Sequence, residues 1–315
     1  MEKRLIWVDC DVGVDDAVAL LTARQMPELE VLGVSATAGN APQNCTFPNA
    51  RKILRLAGAP WPVYPGAEGP LARALTTAAA FHGPDGLWGV KLPLPDLPAE
   101  TMPAWDAIYA AALHHPGAMD LIATGPLTNV ALALQRHPEL RELLPRILFM
   151  GGSTAGGNTT PYAEYNFYVD PEAAAQVLAS GIPLVMCGLD VTMQAYLTPG
   201  ELRDIFDLGG PVSQTLEAIL TPSLERAAAQ GQPGRAIHDL CPIVYAVHPE
   251  LFREKPGTVT VETAVEAQRG RVRAELSGGP VHVVLGIDRP AFAGTVRRAM
   301  EAYAEEAAAQ PRRSE

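Results

Sequence analysis

The chain is poor in the residues that build cross-linked scaffolds. It has four cysteines in 315 residues, Cys10, Cys45, Cys187 and Cys241, and no two form a C-x-x-C pair. That spacing argues against a disulfide framework or a structural zinc site and for free thiols in a reducing cytosol. Positive charge is also scarce: 24 basic against 35 acidic residues leave a formal net charge of -11. Such a balance argues against nucleic acid or an anionic membrane as a partner, but not against a small anionic or neutral ligand. No apolar run is long enough to cross a bilayer. The opening MEKRLIWVDCD turns acidic by residue 9, too early for the apolar region of a signal peptide. A cytoplasmic protein is expected. No internal repeat and no clear linker divides the chain, so one domain over 1–315 is expected, with 309–315 a frayed tail.

What is present is core-forming sequence, 48% hydrophobic with 19% charged residues. Apolar runs alternate with helical patterns. RLIWV reads as a strand and DDAVALLTARQM as a helix; LEVLGVSATAG and NCTFPNARKILRLAG repeat the pair. The Gly/Pro-rich segment 59–100 reads mostly as loop. AWDAIYAAALHH, AMDLIATG, PLTNVALALQRH and RILFMGG continue as helix, strand, helix and strand. A polar loop (152–166), the helix DPEAAAQVLAS and the strand IPLVMCGLD follow. Residues 211–229 read as helix and 230–236 as a mobile break. TVTVETAV, RVRAEL and VHVVLGI suggest an antiparallel addition before a closing helix over 290–308. The rhythm predicts an α/β fold: a mostly parallel, Rossmann-like central sheet flanked by helices, with a small antiparallel addition.

One stretch conflicts with its surroundings. In IWVDCDVGVDDAVAL, Asp9, Asp11, Asp15 and Asp16 crowd beside an apolar strand. Strand alternation sends Asp9 and Asp11 to the same side at the carboxyl end, where ligands of parallel sheets bind. Helix capping accounts for Asp15 or Asp16, but not for Asp9 and Asp11 as well. Converging carboxylates need protons or a cation, and oxygen-only ligands favour Ca²⁺ or Mg²⁺ over zinc. The spacing does not make an EF-hand, since Leu20 stands where its closing Glu belongs. Other polar islands also follow apolar strands: Asn40; Thr124 and Gly125; then Met150, Asn158, Glu164 and Asn166 around a glycine-rich loop. His238 and Asp239 stand together downstream. Taken without context, His82 and His238 would each more often be structural than catalytic.

In this order the islands resemble the nucleoside hydrolase family, the inosine–uridine preferring nucleoside N-ribohydrolases. The family's opening DxDPGxDDAxA stands here as DCDVGVDDAVA. GN at 39–40, ATGPLTN at 123–129, MGG at 150–152, GN at 157–158, AEYN at 163–166, DPEAA at 170–174 and HD at 238–239 follow. The resemblance implies the nucleoside hydrolase fold and Ca²⁺-dependent hydrolysis of ribonucleosides to base and ribose, in nucleoside salvage, by a homodimer or homotetramer. It implies Ca²⁺ held by Asp11, Asp16, the Thr124 carbonyl and Asp239, with Asp11 also the general base and Asp9 a supporting carboxylate. It assigns Asp15, Asn40, Asn158, Glu164 and Asn166 to the ribose, with Met150 alongside. His238 would protonate the leaving base, and His82 matches a second histidine found in part of the family.

Three positions depart from the pattern. Val12 replaces proline, and HDL replaces HDP or HDA. Segment 221–236 has none of the tyrosines that relatives close over the base, which leaves Arg226, Gln230, Gln232 or Arg235 for that contact. Two histidines favour pyrimidine or mixed use. The rival readings are a Ca²⁺-dependent ribose or nucleoside binding protein without turnover, which would not need Asp11, and a haloacid dehalogenase-like phosphatase. The second shares a DxD after a strand but gives the VDDA helix start and the HD pair no task.

Overall fold

The first strand, β1 (Arg4–Cys10), is buried from Ile6 onward and lies at the centre of the sheet. Its side chains divide between two layers. Ile6, Val8 and Cys10 pack into one core with helices Val14–Arg24, Gln43–Ala57, Gly210–Ala229, Leu240–Val247 and Arg289–Ala309. Trp7 packs into a second, with helices Ala104–His114, Thr128–Arg136 and Pro171–Leu178. A strand covered on both faces reads as an unbroken apolar run, which is why this one was visible in the sequence. The structure, a computed structural model, describes residues 3–96 and 98–309.

The further strands are β2 (Leu29–Ala36), β3 (Val63–Pro65), β4 (Met119–Ala123), β5 (Ile147–Met150), β6 (Leu184–Cys187), β7 (Tyr196–Leu197), β8 (Arg235–Ala236), β9 (Phe252–Val261), β10 (Val272–Glu275) and β11 (Val281–Ile287). Eight of them join β1 in one nine-stranded sheet in the order β10-β9-β11-β6-β5-β4-β1-β2-β3. From β3 to β11 every neighbour is parallel, and β9 and β10 add an antiparallel edge. The chain is thus α/β, with a mostly parallel central sheet flanked by helices. The order 3-2-1-4-5-6 within it is that of doubly wound sheets, whose ligand crevice opens where the winding reverses. That point lies between β1 and β4.

Local signals explain the helix ends. Gly58, at φ 62°, closes Gln43–Ala57 in the left-handed conformation that glycine adopts without strain. Thr198 and Glu201 form a reciprocal capping box at the start of Pro199–Asp207. At the amino end of the sheet Asp120, fully buried, accepts from Arg4 (2.6 Å) and Arg146 (2.7 Å), which ties β1 to the strands beyond β4.

Segment 59–100 is mostly loop, as expected, and also carries β3 and the helix Ala79–His82. Several other expectations need correction. The second strand ends at Ala36, so Asn40 stands in the loop beyond it. The loop expected over 152–166 gives way to a short helix, Tyr165–Val169, and the strand expected over 182–190 ends at Cys187 in a helical turn, Leu189–Thr192. The break at 230–236 includes β8, which pairs antiparallel with β7 in a separate two-stranded sheet. The antiparallel addition continues the main sheet because β11 pairs parallel with β6. The closing helix reaches Ala309, which removes that residue from the expected frayed tail; 310–315 lie outside the described residues. No helix among the described residues is long and apolar enough to cross a membrane.

Candidate active site

The carboxyl ends of β1 and β4 meet at the winding reversal. Thr124 N–H donates to the Asp9 carbonyl at 2.8 Å, so the residues just past each strand are adjacent. Two glycines let the chain close around Asp11. A Cβ on Gly39 would lie 2.0 Å from Asp11 Oδ2, and one on Gly125 2.9 Å from Asp11 Cγ. Asp11 Oδ2 accepts from Asn40 N–H at 2.6 Å.

The four aspartates have different partners. Asp16 Oδ2 accepts from Gly13 N–H at 2.9 Å, which serves the helix start, and its Oδ1 accepts from Thr124 Oγ1 at 2.7 Å. The capping account therefore covers part of what Asp16 does. Asp9 lies behind, with Oδ1 held by Ser35 Oγ and Asn129 Nδ2 and Oδ2 buried without a partner. Asp15 pairs with Arg235. Asp239, from the far end of the chain, lies close enough to feel the charge of Asp16. Burial, then the charge of Asp16, pushes Asp11 and Asp239 well above the usual carboxylate range, and burial pushes Asp9 up to about 7.

Glu164 is the N-cap of the short helix. Its Oε1 accepts from Asn166 N–H at 2.8 Å, and its Oε2 from Gly152 N–H (2.8 Å) and Phe167 N–H (3.1 Å). Asn166 Nδ2 donates to the carbonyls of Thr124 (2.8 Å) and Met150 (3.0 Å), which leaves one lone pair on Thr124 O.

A cavity of about 370 Å³ unites these groups. Asp11, Asp15, Asn40, His82, Thr124, Met150, Asn158, Glu164, Asn166, His238 and Asp239 all line it, whereas Asp16 lies behind the wall. Arg226, Gln230, Gln232 and Arg235 line it as well, so the segment without tyrosines does face the site. Tyr165, Phe81, Leu189 and Met193 also contribute and were not singled out from sequence. Tyr165 stands between two chosen residues, and its hydroxyl lies 2.7 Å from Gly39 O and 2.8 Å from Thr76 O. The signal for Leu189 and Met193 was their place just past a strand's carboxyl end.

Both histidines line the cavity. His82 Nδ1 accepts from Val14 N–H at 3.1 Å, so the neutral ring carries its proton on Nε2. Burial lowers His82 and His238 to about 4, with the Arg235 charge adding to the effect.

The donor set fits a hard divalent cation. Asp11, Asp16, Asp239 and the Thr124 carbonyl offer oxygen only, they are buried, and their charges oppose one another. Nearby positive charge is otherwise engaged, Arg235 with Asp15 and Arg226 with the Ala80 carbonyl and the Phe81 ring. Among the described residues no three His, Cys, Asp or Glu side chains are already drawn into a closed ligand cluster; the carboxylates bond to Gly13, Asn40 and Thr124 instead.

Known proteins resemble the chain along nearly its whole length. The chain is 39% identical over 309 residues to the pyrimidine-specific ribonucleoside hydrolase RihA of Shewanella sp. (strain MR-7), covering 96% of this chain and 97% of that one. It is 40% identical over 292 residues to the non-specific ribonucleoside hydrolase RihC of Escherichia coli O7:K1 (strain IAI39 / ExPEC), covering 91% and 95%. The structure of a purine-preferring ribonucleoside hydrolase from Gardnerella vaginalis superposes with a TM-score of 0.91 at 29% identity, over 96% of this chain and 100% of that one. The model of the inosine-uridine preferring nucleoside hydrolases matches residues 6–294, and the chain belongs to that family of enzymes.

Proposed function

We propose that the chain hydrolyses the N-glycosidic bond of ribonucleosides to free base and ribose, with Ca²⁺ as its ion. One observation carries the reading: a single cavity joins Asp11 and Asp15, through Asn40, Asn158, Glu164 and Asn166, to a wall bearing His82 and His238. One end suits a sugar and the other a base.

Asp11, Asp16, Asp239 and the Thr124 carbonyl would hold the ion. When bound, Ca²⁺ supplies a site that orients a water and makes it easier to deprotonate. Asp11 takes a proton from the water that attacks C1′. Asp15, Asn40, Asn158, Glu164 and Asn166 grip the ribose hydroxyls and fix the sugar for attack, with Met150 packed beside it. As the C1′–N bond breaks, positive charge grows on the ribosyl and the carboxylates around it stabilise that charge. The electron pair goes to the base. His238 gives it a proton, and His82, with its proton on Nε2, donates a hydrogen bond to it.

Pyrimidine or mixed use is favoured by the two histidines and by RihA and RihC among the relatives. The reading treats 1–315 as one domain. Incubation with uridine, cytidine and inosine in Ca²⁺, with free ribose measured, is the test. Tight nucleoside binding without ribose release would make the chain a binding protein. Turnover of a phosphoester with Mg²⁺, and of no nucleoside, would make it a phosphatase.

A further inference from the structure

The two-stranded sheet delivers a charged residue that the reaction above does not use. Arg235 stands on β8, where Leu197 and Tyr196 pair with Arg235 and Ala236. The two strands are in close backbone contact: a Cβ on neighbouring Gly234 would lie 2.1 Å from Leu197 O. The guanidinium therefore projects from a closely paired ribbon. Its Nη1 donates to Ala236 O at 2.7 Å and its Nη2 to Asp15 Oδ1, across 220 residues of sequence. The pair is nearly dry, with the side chains 11% and 5% exposed.

Asp11 and Asp16 are met by backbone N–H groups and a hydroxyl, whereas Asp15 is met by a permanent cation. A planar guanidinium fixes the orientation of the carboxylate it holds. Only Oδ1 is engaged in this pair, and Asp15 lines the cavity.

We infer that Arg235 is a positioning residue for the sugar: it holds Asp15 by Oδ1 so that Oδ2 accepts a ribose hydroxyl, and it keeps Asp15 out of the cation's ligand set. The inference rests on the reading of Asp15 as a ribose contact. Preference for a ribose over a deoxyribose is then a property of the Asp15–Arg235 pair.

The test compares the parent enzyme with Arg235→Gln and Arg235→Lys on uridine, 2′-deoxyuridine and 3′-deoxyuridine, with deoxy analogues that are not turned over measured as competitive inhibitors. Melting temperature and Ca²⁺ binding are followed in parallel. In Arg235→Gln, KM for uridine rises roughly 10- to 100-fold with a smaller change in kcat, the loss expected for one charge-assisted hydrogen bond. Preference for uridine over one deoxy analogue falls by a similar factor, and Arg235→Lys recovers part of it. A uniform loss on all three compounds overturns the inference, because it marks a merely structural residue; so does an unaltered preference. If Arg235→Gln does not fold, Arg235→Lys decides, since it keeps the charge but not the fork and must still lose part of the preference. A parent enzyme that releases no ribose overturns the functional reading and this inference together, whereas an active parent with unaltered preference in the variants overturns this inference alone.

Discussion

A methyl group at Gly39 tests the site at its narrowest point. The Cβ of Gly39→Ala would lie 2.0 Å from Asp11 Oδ2, 2.8 Å from Asp11 Cγ and 2.8 Å from Pro126 Cδ. Real Cβ atoms do not approach within 3.0 Å, so the Asp11 carboxylate must move by about 1 Å. That movement breaks its 2.6 Å bond from Asn40 N–H. Gly39 is not among the positive-φ glycines, so alanine meets no backbone strain there and the effect is confined to the side chain. A misplacement of about 1 Å at a reacting group costs roughly 100-fold in rate, or about 2.7 kcal/mol of barrier. The assay is kcat/KM for ribose release from uridine, with the melting temperature measured on the same preparation. Gly69→Ala is the control, because its Cβ meets nothing within 4 Å and its φ is ordinary. If Gly39→Ala stays within threefold of the parent, or Gly69→Ala is equally impaired, the geometry around Asp11 is not what the enzyme depends on.

Asp11→Asn should lower turnover by roughly 10²- to 10⁴-fold, the usual contribution of a general base, while equilibrium dialysis still detects ribose binding; near-parental turnover removes Asp11 from that role. EDTA or Asp16→Asn should lower bound Ca²⁺ measured by elemental analysis, and unchanged occupancy contradicts the ligand assignment. His82 has a folded pKa of about 4 against an ordinary 6.5. The unfolded chain therefore binds the extra proton between those values, and stability falls as pH drops below 6.5. Urea unfolding at pH 7.5 and 5 should show His82→Gln relieved of about 2 kcal/mol of the acid destabilisation seen in the parent; parallel curves refute the burial effect. Asp120→Asn should cost about 1–3 kcal/mol of stability, because the two arginines that lose their carboxylate are partly exposed and regain water, and the remaining folded fraction should keep its kcat/KM.

The sequence showed most clearly what depends on local pattern. The parallel strands were visible because a strand buried on both faces is an unbroken apolar run, and the aspartates because charge at the end of such a run is costly without a purpose. Two-residue strands have no periodicity, so β7 and β8 could not be seen, and Arg235 stayed one of four equal candidates for the base. Its partner Asp15 lies 220 positions away, and nothing in the intervening sequence marks the pair. The helix Tyr165–Val169 was missed because Glu164 supplies its cap from the side chain expected to bind sugar. The lowered pKa of each histidine depends on how deeply the finished fold buries it, which no motif records.

The central position of β1 bears on how the protein is made. The strand precedes both of its neighbours in the chain, and β2 follows it at once. Its other neighbour, β4, does not exist until residue 119 has been added. Asp239 arrives later still. Throughout that interval the aspartates remain hydrated and their mutual repulsion costs little. The desolvation that raises their pKa values is imposed only when distant segments dock, so the least favourable electrostatic step of folding coincides with completion of the pocket. Any ion that enters at that stage stabilises the final closure of the fold as well as serving turnover.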